Sequence, residues 1–447
     1  MSEPTEGPAH GEAGSERHAE RAIVLVPITR ERDEGIVARD AEARVEEAEG
    51  LARAIDLDVA GGIAVPLSTF RPATLFGTGK VEEIGKRVEA DHAGLVVVDH
   101  ALSPVQQRNL EKAWKAKVID RTGLILEIFG ERARTREGRL QVELAHLTYQ
   151  KSRLVRSWTH LERQRGGFGF LGGPGETQIE ADRRAISERI ERIKRELETV
   201  ATRRRLQRKN RKRSAQAVVA LVGYTNAGKS TLFNALTRSG VYADNRLFAT
   251  LDPTLRKVEL PDGTPIVLSD TVGFVADLPT SLVAAFKATL EEVVEADLIL
   301  HVRDIAHPDS EAQARDVAAV LSELGIDAQA PDRVIEVWNK VDLLPADRRP
   351  APHPPGEGPE VIVISALSGE GLPALLAAVE ARVAATNRVF RVALSGADLG
   401  KLHRLYELGE VIGRHDTEEG ATVAEVRVAS EGVDRFRKAF PGAEPAR

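Results

Sequence analysis

Short apolar runs separated by amphipathic stretches characterise the first part of this chain. The runs AIVLVPI, GLVVVDH and VIDRTGLILEIF predict strands at residues 22–28, 94–100 and 118–129. Stretches with helical periodicity separate them, around residues 40–55, 80–90 and 103–116. Strands that alternate with helices are typical of an α/β domain, which we expect at residues 21–135.

A helical repeat replaces this alternation in the next segment, where apolar residues recur three, four or seven positions apart. The first series is Leu140, Leu144, Leu147, Leu154, Trp158 and Leu161, and the second is Ile179, Ile186, Ile190, Ile193, Leu197 and Val200. Such spacing places apolar side chains along one face of a helix. We therefore predict two long helices packed as an antiparallel hairpin over residues 136–213.

The connection between these helices has an unusual composition. Residues 166–175 include six glycines, together with Phe168 and Phe170, and Arg163 and Arg165 precede them. Aromatic rings beside cations favour stacking on unpaired bases, whereas a plain linker is richer in serine. We predict that these four side chains contact RNA; the alternatives are a protein contact or a simple connector.

Positive charge is concentrated in the predicted hairpin. The full chain has a net charge of −6, yet residues 150–213 contain 19 Lys or Arg against 8 Asp or Glu. This asymmetry indicates a polyanionic partner. The run RRRLQRKNRKR at 203–213 contains no acid to pair with. For residues 183–198, the alternative is a solvated face whose arginines pair with interleaved glutamates.

The composition of the chain excludes several classes of protein and of site. The 447 residues are 42% apolar and contain no cysteine, which excludes disulfides, thiolate zinc sites and thiol catalysis. No apolar run approaches the roughly 18 to 20 residues of a membrane span. The polar segment at residues 1–20 predicts a disordered tail without a signal peptide. We expect a multidomain cytoplasmic protein.

A phosphate-binding loop is predicted after the apolar strand AVVALV at 217–222. The sequence GYTNAGKS at 223–230 matches G-x-x-x-x-G-K-[ST] and precedes the helical LFNALT. In such a loop the backbone amides surround phosphates, the lysine reaches the β and γ oxygens, and the serine hydroxyl binds Mg²⁺. The predicted nucleotide contacts are Gly223, Tyr224, Thr225, Asn226, Ala227, Gly228, Lys229 and Ser230.

Three later motifs indicate that the nucleotide is guanine. In DTVGF, Asp270 can hold the water shell of the metal and Gly273 lets its amide approach the γ-phosphate. In NKVD, Asp342 matches the two donors of guanine, while Asn339 and Lys340 brace the base. In SAL, a backbone amide can reach guanine O6. The predicted contacts are Asp270, Thr271, Val272, Gly273, Asn339, Lys340, Val341, Asp342, Ser365, Ala366 and Leu367, within a nucleotide domain at residues 215–385.

Two further segments carry weaker signals. The loop ATLFGTGK at 73–80 resembles a phosphate loop but is too short, so we interpret Gly77, Gly79 and Lys80 as a tight turn; the alternative is an anion site. Near the end of the chain, strands, a helix near 397–409 and the segment VDRFRKAF predict a small α/β domain at 389–447.

These motifs together resemble the HflX-type GTPases over essentially the whole chain. The resemblance is carried by FGTGKVEEI, GGPGETQIEADRR, FATLDPT and DTVGFVADLPTSLVAAFKATLEE. It implies a P-loop GTPase domain with a mostly parallel, doubly wound sheet, preceded by an α/β domain and a helical hairpin and followed by a small α/β domain. It also implies Mg²⁺-dependent hydrolysis of GTP to GDP, and binding to the RNA of the large ribosomal subunit to split or rescue stalled ribosomes.

The resemblance also assigns the switches. Thr250 becomes the switch I threonine that joins Ser230 on Mg²⁺, and residues 274–290 become switch II. The neighbours of Thr250 that we expect at the nucleotide are Phe248, Ala249, Leu251 and Asp252. The predicted catalytic residues are Lys229, Thr250, Asp270 and Gly273.

Two positions bear on the rate of hydrolysis. Phe274 stands where many GTPases have a glutamine that orients the attacking water, so we expect slow intrinsic hydrolysis. Asn226 occupies a position that coordinates K⁺ in some related GTPases; the alternative is that it braces the loop. We expect the large subunit to order switch II.

The sequence thus predicts a monomeric, GTP-gated ribosome-binding factor that is partly ribosome-associated. One alternative is a regulatory switch that binds a protein effector through the hairpin. Another is an ATP- or GTP-driven RNA remodeller with a second nucleotide site in the N-terminal domain.

Overall fold

The computed structural model describes residues 20–29, 40–164, 174–213, 216–237, 247–248, 250–276, 290–352, 358–417, 421–429 and 432–446. Over these ranges the chain forms three sheets and a long helical hairpin. None of the helices in these ranges is long and apolar enough to cross a bilayer.

The first sheet is parallel, with strand order β2-β1-β3-β4. Its strands are β1 Arg21–Thr29, β2 Asp58–Leu67, β3 Leu95–Val98 and β4 Lys117–Asp120. The helices that follow them are α1 Ala41–Arg53, α2 Thr78–Ala90, α3 Pro104–Trp114 and α4 Arg121–Arg132. Apolar side chains are buried on both faces of the sheet, as expected when helices cover a parallel sheet.

Two sequence predictions for this sheet were wrong. The run at 118–129 is not one strand, because β4 ends at Asp120 and α4 begins at once. Asp120 accepts a hydrogen bond from the amide of Gly123 at 2.8 Å, which caps the helix. The run is uniformly apolar because α4 is buried along most of its length. Strand β2 was missed because Gly61 and Gly62 interrupt its apolar pattern.

The predicted hairpin is present as α5 Arg136–Gln164 and α6 Pro174–Arg213. The two helices are antiparallel, with Glu143 paired to Arg189 at 2.7 Å and Glu137 paired to Arg204 at 2.8 Å. The second pair corrects the expectation that the run at 203–213 has no acidic partner, since the acid comes from the other helix.

The hairpin tip is largely outside the described residues. Arg165, Phe168 and Phe170 fall in the gap between α5 and α6, and Arg163 lies in α5 without a described side chain. Their RNA contacts remain predictions.

The second sheet has six strands in the order β10-β9-β8-β5-β7-β6, and β6 alone runs antiparallel to its neighbour among them. These are β5 Val218–Gly223, β6 Thr254–Glu259, β7 Pro265–Asp270, β8 Leu298–Asp304, β9 Val334–Asn339 and β10 Glu360–Val363. Helix α7 Lys229–Thr237 and α9 Leu372–Thr386 cover one face, and α8 Ser310–Glu323 covers the other. The loops after β5, β7 and β9 therefore meet at one carboxyl edge.

The third sheet is antiparallel, in the order β12-β13-β11-β14. Its strands are β11 Asn387–Leu394, β12 Glu410–Asp416, β13 Thr422–Ala429 and β14 Glu444–Pro445, with helices α10 Leu402–Leu408 and α11 Val433–Ala439. The helix predicted near 397–409 is shorter, because residues Gly396–Lys401 form a 3₁₀ turn. Arg427 donates to the hydroxyl of Thr264 at 3.1 Å and so connects this sheet to the second.

Candidate active site

Glycine is required at two points of the loop that follows β5. Gly223 has φ +156°, and a Cβ there would lie 2.2 Å from the carbonyl oxygen of Val302. Gly228 has φ +93°, and its Cβ would lie 2.2 Å from the side-chain nitrogen of Asn339. The loop can therefore close against β8 and the NKVD segment only without side chains at these positions.

Lys229 begins α7 and is buried beneath this loop. Its Nζ donates to the carbonyl oxygens of Gly223 at 3.1 Å and Tyr224 at 2.7 Å. Burial lowers the pKa of Lys229 to about 8, and the nearby Asp270 opposes this shift. Among the described residues this buried ammonium group has no carboxylate as a hydrogen-bond partner, so it is suited to bind phosphate oxygens.

Three oxygen-bearing side chains meet beside Lys229. The hydroxyls of Ser230 and Thr250 donate to Asp270 Oδ2 at 2.8 and 2.9 Å, and the two hydroxyl oxygens are 3.1 Å apart. Asp270 Oδ1 is buried without a partner at hydrogen-bond geometry among the described residues. Burial raises the pKa of Asp270, whereas Lys229 lowers it.

This cluster fits Mg²⁺, which prefers hard oxygen ligands and keeps several waters. Ser230 and Thr250 can supply hydroxyl ligands, and Asp270 can bind a water of the metal. The described residues contain no group of three His, Cys, Asp or Glu side chains arranged to hold a metal.

Gly273 and Phe274 connect switch II to the phosphate loop. A Cβ on Gly273 would lie 2.8 Å from Thr225 Cα and 3.0 Å from Lys229 Nζ. The Thr225 amide donates to the Phe274 carbonyl at 2.7 Å, and the Phe274 amide donates to Gly223 at 3.1 Å. The ring of Phe274 is buried in the core and provides no polar group for a water.

Asn339 joins the loops that would surround the base. Its Nδ2 donates to the carbonyl of Ala227 at 2.8 Å, and its Oδ1 accepts from the amide of Ala366 at 2.9 Å. Lys340 is paired with Asp304 at 2.6 Å. The carboxylate of Asp342 is half-buried and has no side-chain partner among the described residues, so it is available for the donors of guanine.

The other predicted nucleotide contacts differ in their exposure to solvent. Ser365 is buried behind the pocket, whereas Leu367 is 82% exposed. Asn226 has φ +60°, so it holds a left-handed turn in the loop. Five further predicted contacts are buried: Phe248, Leu251, Thr271, Val272 and Val341. Ala249 falls outside the described residues.

Switch I is bonded to the base of the hairpin. Asp252 accepts from the amides of Arg134 at 2.9 Å and Thr135 at 2.8 Å, and from the Thr135 hydroxyl at 2.5 Å. Beside it, the rings of Phe129 and Phe248 pack edge to face with centroids 5.0 Å apart. The sequence places Asp252 near the nucleotide, but its observed partners are the two residues immediately before α5.

Comparison with known proteins identifies the family. Four family models match successive parts of the chain, and their descriptions are GTP-binding GTPase N-terminal (residues 42–130), GTP-binding GTPase Middle Region (132–211), 50S ribosome-binding GTPase (218–340) and HflX C-terminal domain (356–442). The GTPase HflX of Magnetococcus marinus is 52% identical over 396 residues, which cover 88% of this chain and 89% of that protein.

This chain belongs to the HflX family of GTPases. The Escherichia coli GTPase HflX is 46% identical across 80% of this chain and 83% of its own length. The relative from Caldanaerobacter subterraneus is 43% identical, with 94% of each chain covered. The predicted fold class and the hydrolysis of GTP to GDP and phosphate are thereby confirmed.

Sequence reasoning missed two residues that lie against switch II and the phosphate loop. These are Glu47 in α1 and Arg121 in α4. Glu47 accepts a hydrogen bond from Tyr224, and Arg121 donates one to the carbonyl of Ala276, and each of these bonds spans more than 150 residues. No local motif marks Glu47 or Arg121, so only the tertiary structure reveals them.

Proposed function

We propose that this HflX GTPase binds the large ribosomal subunit in its GTP state and splits or rescues stalled ribosomes under stress. It acts in the cytoplasm as a monomer that is partly ribosome-associated. GTP orders both switches, the N-terminal sheet and the hairpin engage ribosomal RNA, and hydrolysis releases the protein. The description of its central family model as a 50S ribosome-binding GTPase supports this proposal.

In this proposal each nucleotide contact has a separate task. Lys229 binds the β and γ oxygens, and Gly273 presents its amide to the γ-phosphate. Ser230 and Thr250 hold Mg²⁺, which neutralises charge on the phosphate oxygens when bound. Asp342 selects guanine, because an unsuitable base would leave its carboxylate unpaired.

Potassium is a second cation to consider. Asn226 holds the turn of the phosphate loop at φ +60°, and we include K⁺ coordination by its side chain in the proposal. A K⁺ ion there would place positive charge beside the phosphates without an arginine. Equal hydrolysis rates in sodium and potassium buffers would rule this part out.

The bond between switch I and the hairpin carries the ribosome proposal. Asp252 lies two residues after Thr250 and bonds Thr135, the residue immediately before α5. That helix has 29 residues and extends about 43 Å toward the Gly-rich tip. A change in switch I on hydrolysis therefore acts directly on the base of the element expected to contact RNA.

The test is GTP hydrolysis with and without purified large subunits. We expect strong stimulation of the full-length protein, and weaker stimulation after deletion of residues 166–175. Thr135→Ala should also weaken it, because that change removes the hydroxyl that bonds Asp252. Thr148→Ala is the matched control, since its hydroxyl bonds the carbonyl of Leu144 within α5.

Salt dependence separates the candidate partners. Binding through several arginines to RNA should weaken steeply as salt rises, because each phosphate contact releases counterions. A protein effector bound through apolar contacts would show little salt dependence. If large subunits give no stimulation, the effector alternative replaces the ribosome proposal.

A further inference from the structure

The N-terminal half of the chain contributes a charged side chain to switch II. Arg121, the first residue of α4, donates to the carbonyl oxygen of Ala276 at 3.0 Å. It is also paired with Glu47 at 2.7 Å and with Asp99, and its side chain is only 8% exposed. Burial disfavours its charge, but Asp99 and Glu47 raise the pKa of Arg121 above its ordinary value. Arg121 is therefore a permanent, immobilised cation.

The amide of Ala276 is held from the opposite side by the phosphate loop. Its N–H donates to the hydroxyl of Tyr224 at 2.8 Å, and that hydroxyl donates to Glu47 at 2.5 Å. Both polar groups of one switch II residue are thus fixed, by Arg121 and by Tyr224. Glu47 of α1 accepts from both of these side chains and anchors them together.

This arrangement matters because Phe274 offers no polar group to an attacking water. Ala276 follows Gly273 by three residues and Phe274 by two, and the ring of Phe274 is buried. Within residues 273–276, a backbone amide such as that of Gly273 is then the polar group that can face the γ-phosphate and the attacking water. Dipoles that are already fixed stabilise a transition state most effectively, because they need not reorganise.

We propose that Arg121 and Glu47 are positioning residues for GTP hydrolysis. Through Ala276 and Tyr224 they hold the backbone of switch II in the conformation that the chemical step requires. The N-terminal sheet thereby acts as a built-in support for the catalytic segment. This inference rests on the GTPase activity of the family and is independent of the ribosome proposal.

The test uses three full-length variants without ribosomes. Tyr224→Phe removes the hydroxyl, Glu47→Gln removes the negative charge, and Arg121→Lys keeps a cation but loses the fork of donors. We expect kcat to fall about tenfold in each, the loss typical of one hydrogen bond to a charged group. In Glu47→Gln and Arg121→Lys, which lie outside the nucleotide pocket, the GDP dissociation constant should change less than about twofold, because uniform binding is unaffected. The Tyr224→Phe/Glu47→Gln double variant should resemble either single variant, since both changes interrupt one chain of bonds.

Tyr149→Phe is the matched control. The hydroxyl of Tyr149 donates to a buried carboxylate, Asp120, at 2.6 Å, in the same half of the chain but without a bond to the described residues of either switch. Its kcat should equal that of the unmodified protein. Unchanged kcat in Tyr224→Phe and Glu47→Gln would overturn the proposal. A parallel loss of GDP affinity would also overturn it, because these residues would then only support the phosphate loop.

Discussion

The parallel first sheet and the mostly parallel second sheet each contain a strand that ends in a buried aspartate, but the two carboxyl edges differ. At the end of β7, Asp270 receives two hydroxyl groups on Oδ2, and its Oδ1 lacks a hydrogen-bonded partner among the described residues. At the end of β4, Asp120 is bonded on both oxygens. Its donors are the amides of Leu102 and Gly123 and the side chains of Tyr149 and Arg153.

The difference lies in what covers each edge. Ligands of open α/β sheets bind outside the carboxyl ends of the strands, so both edges are eligible. Helix α5 covers the carboxyl edge of the first sheet. It supplies Tyr149 and Arg153, which donate hydrogen bonds to Asp120. In the described part of the second sheet no basic side chain pairs with Asp270 in this way. A carboxyl edge becomes a ligand site only where polar groups remain available.

The short glycine loop of the first sheet shows the same contrast. It leads into α2, where Lys80 is paired with Glu83 at 2.7 Å, whereas Lys229 bonds only carbonyl oxygens among the described residues. The tight-turn interpretation therefore accounts for this loop. Nothing in its environment favours a second nucleotide site.

The largest expected effect is a difference in GDP binding between alanine substitutions of Lys229 and Lys80. Lys229→Ala should weaken GDP binding about hundredfold, the usual cost of truncating one partner of a buried charge pair. Lys80→Ala should leave the dissociation constant unchanged. Calorimetric titration of both variants measures this. ATP turnover that survives Lys229→Ala would revive the RNA-remodeller alternative and break the comparison.

The two aspartates should respond in opposite ways to the same substitution. Asp120→Asn should reduce the local free energy of unfolding around β4 and α5 by about 3 kcal/mol, because it leaves Arg153 buried without its charged partner. Asp270→Asn should abolish Mg²⁺-dependent hydrolysis with little loss of stability, since its charge is poorly compensated in the free protein. Hydrogen exchange reports the first quantity and phosphate release the second.

Each aspartate variant is the control for the other. Asp120→Asn should keep the nucleotide affinity of the unmodified protein, and Asp270→Asn should keep the exchange protection of α5. If Asp120→Asn also lost nucleotide binding, the carboxyl edge of the first sheet would have more than a structural role, and its contrast with the carboxyl edge of the second sheet would fail.

A smaller effect comes from a buried histidine in the second sheet. His301 lies on β8 opposite Glu336, and its Nε2 has no hydrogen-bond partner among the described residues. Burial lowers its pKa from 6.5 to about 4; Glu336 opposes the shift, and Arg303 and Lys229 add to it. As the pH falls below 6.5, His301 is therefore protonated in the unfolded chain while it stays neutral in the folded protein. Stability should fall by about 1 kcal/mol per pH unit as pH drops from 6.5 toward 4.

His301→Leu should remove this contribution from the pH dependence of unfolding. The exposed His415 gives the matched substitution His415→Leu, which should leave the slope unchanged. Urea unfolding at pH 6.5 and 5.5 measures both. Identical slopes in the unmodified protein and His301→Leu would contradict a buried neutral imidazole.

The nucleotide pocket was predictable because its chemistry is local. A phosphate loop needs glycine at fixed places, and the positions of Gly223 and Gly228 follow from close backbone approach. The mostly parallel sheet was likewise predictable from its apolar strands. The boundary at Asp120 was not, because a continuous apolar run cannot distinguish a buried strand from a buried helix.

The sequence alone determined that this protein is a GTPase and predicted which residues face the nucleotide, because each motif carries its conformation and its chemistry within a few residues. Only the tertiary structure decided how the halves are joined. The bonds from Glu47 to Tyr224 and from Arg121 to Ala276 connect residues 177 and 155 positions apart. Contacts of that kind depend on how separate sheets pack, and no local spacing encodes them.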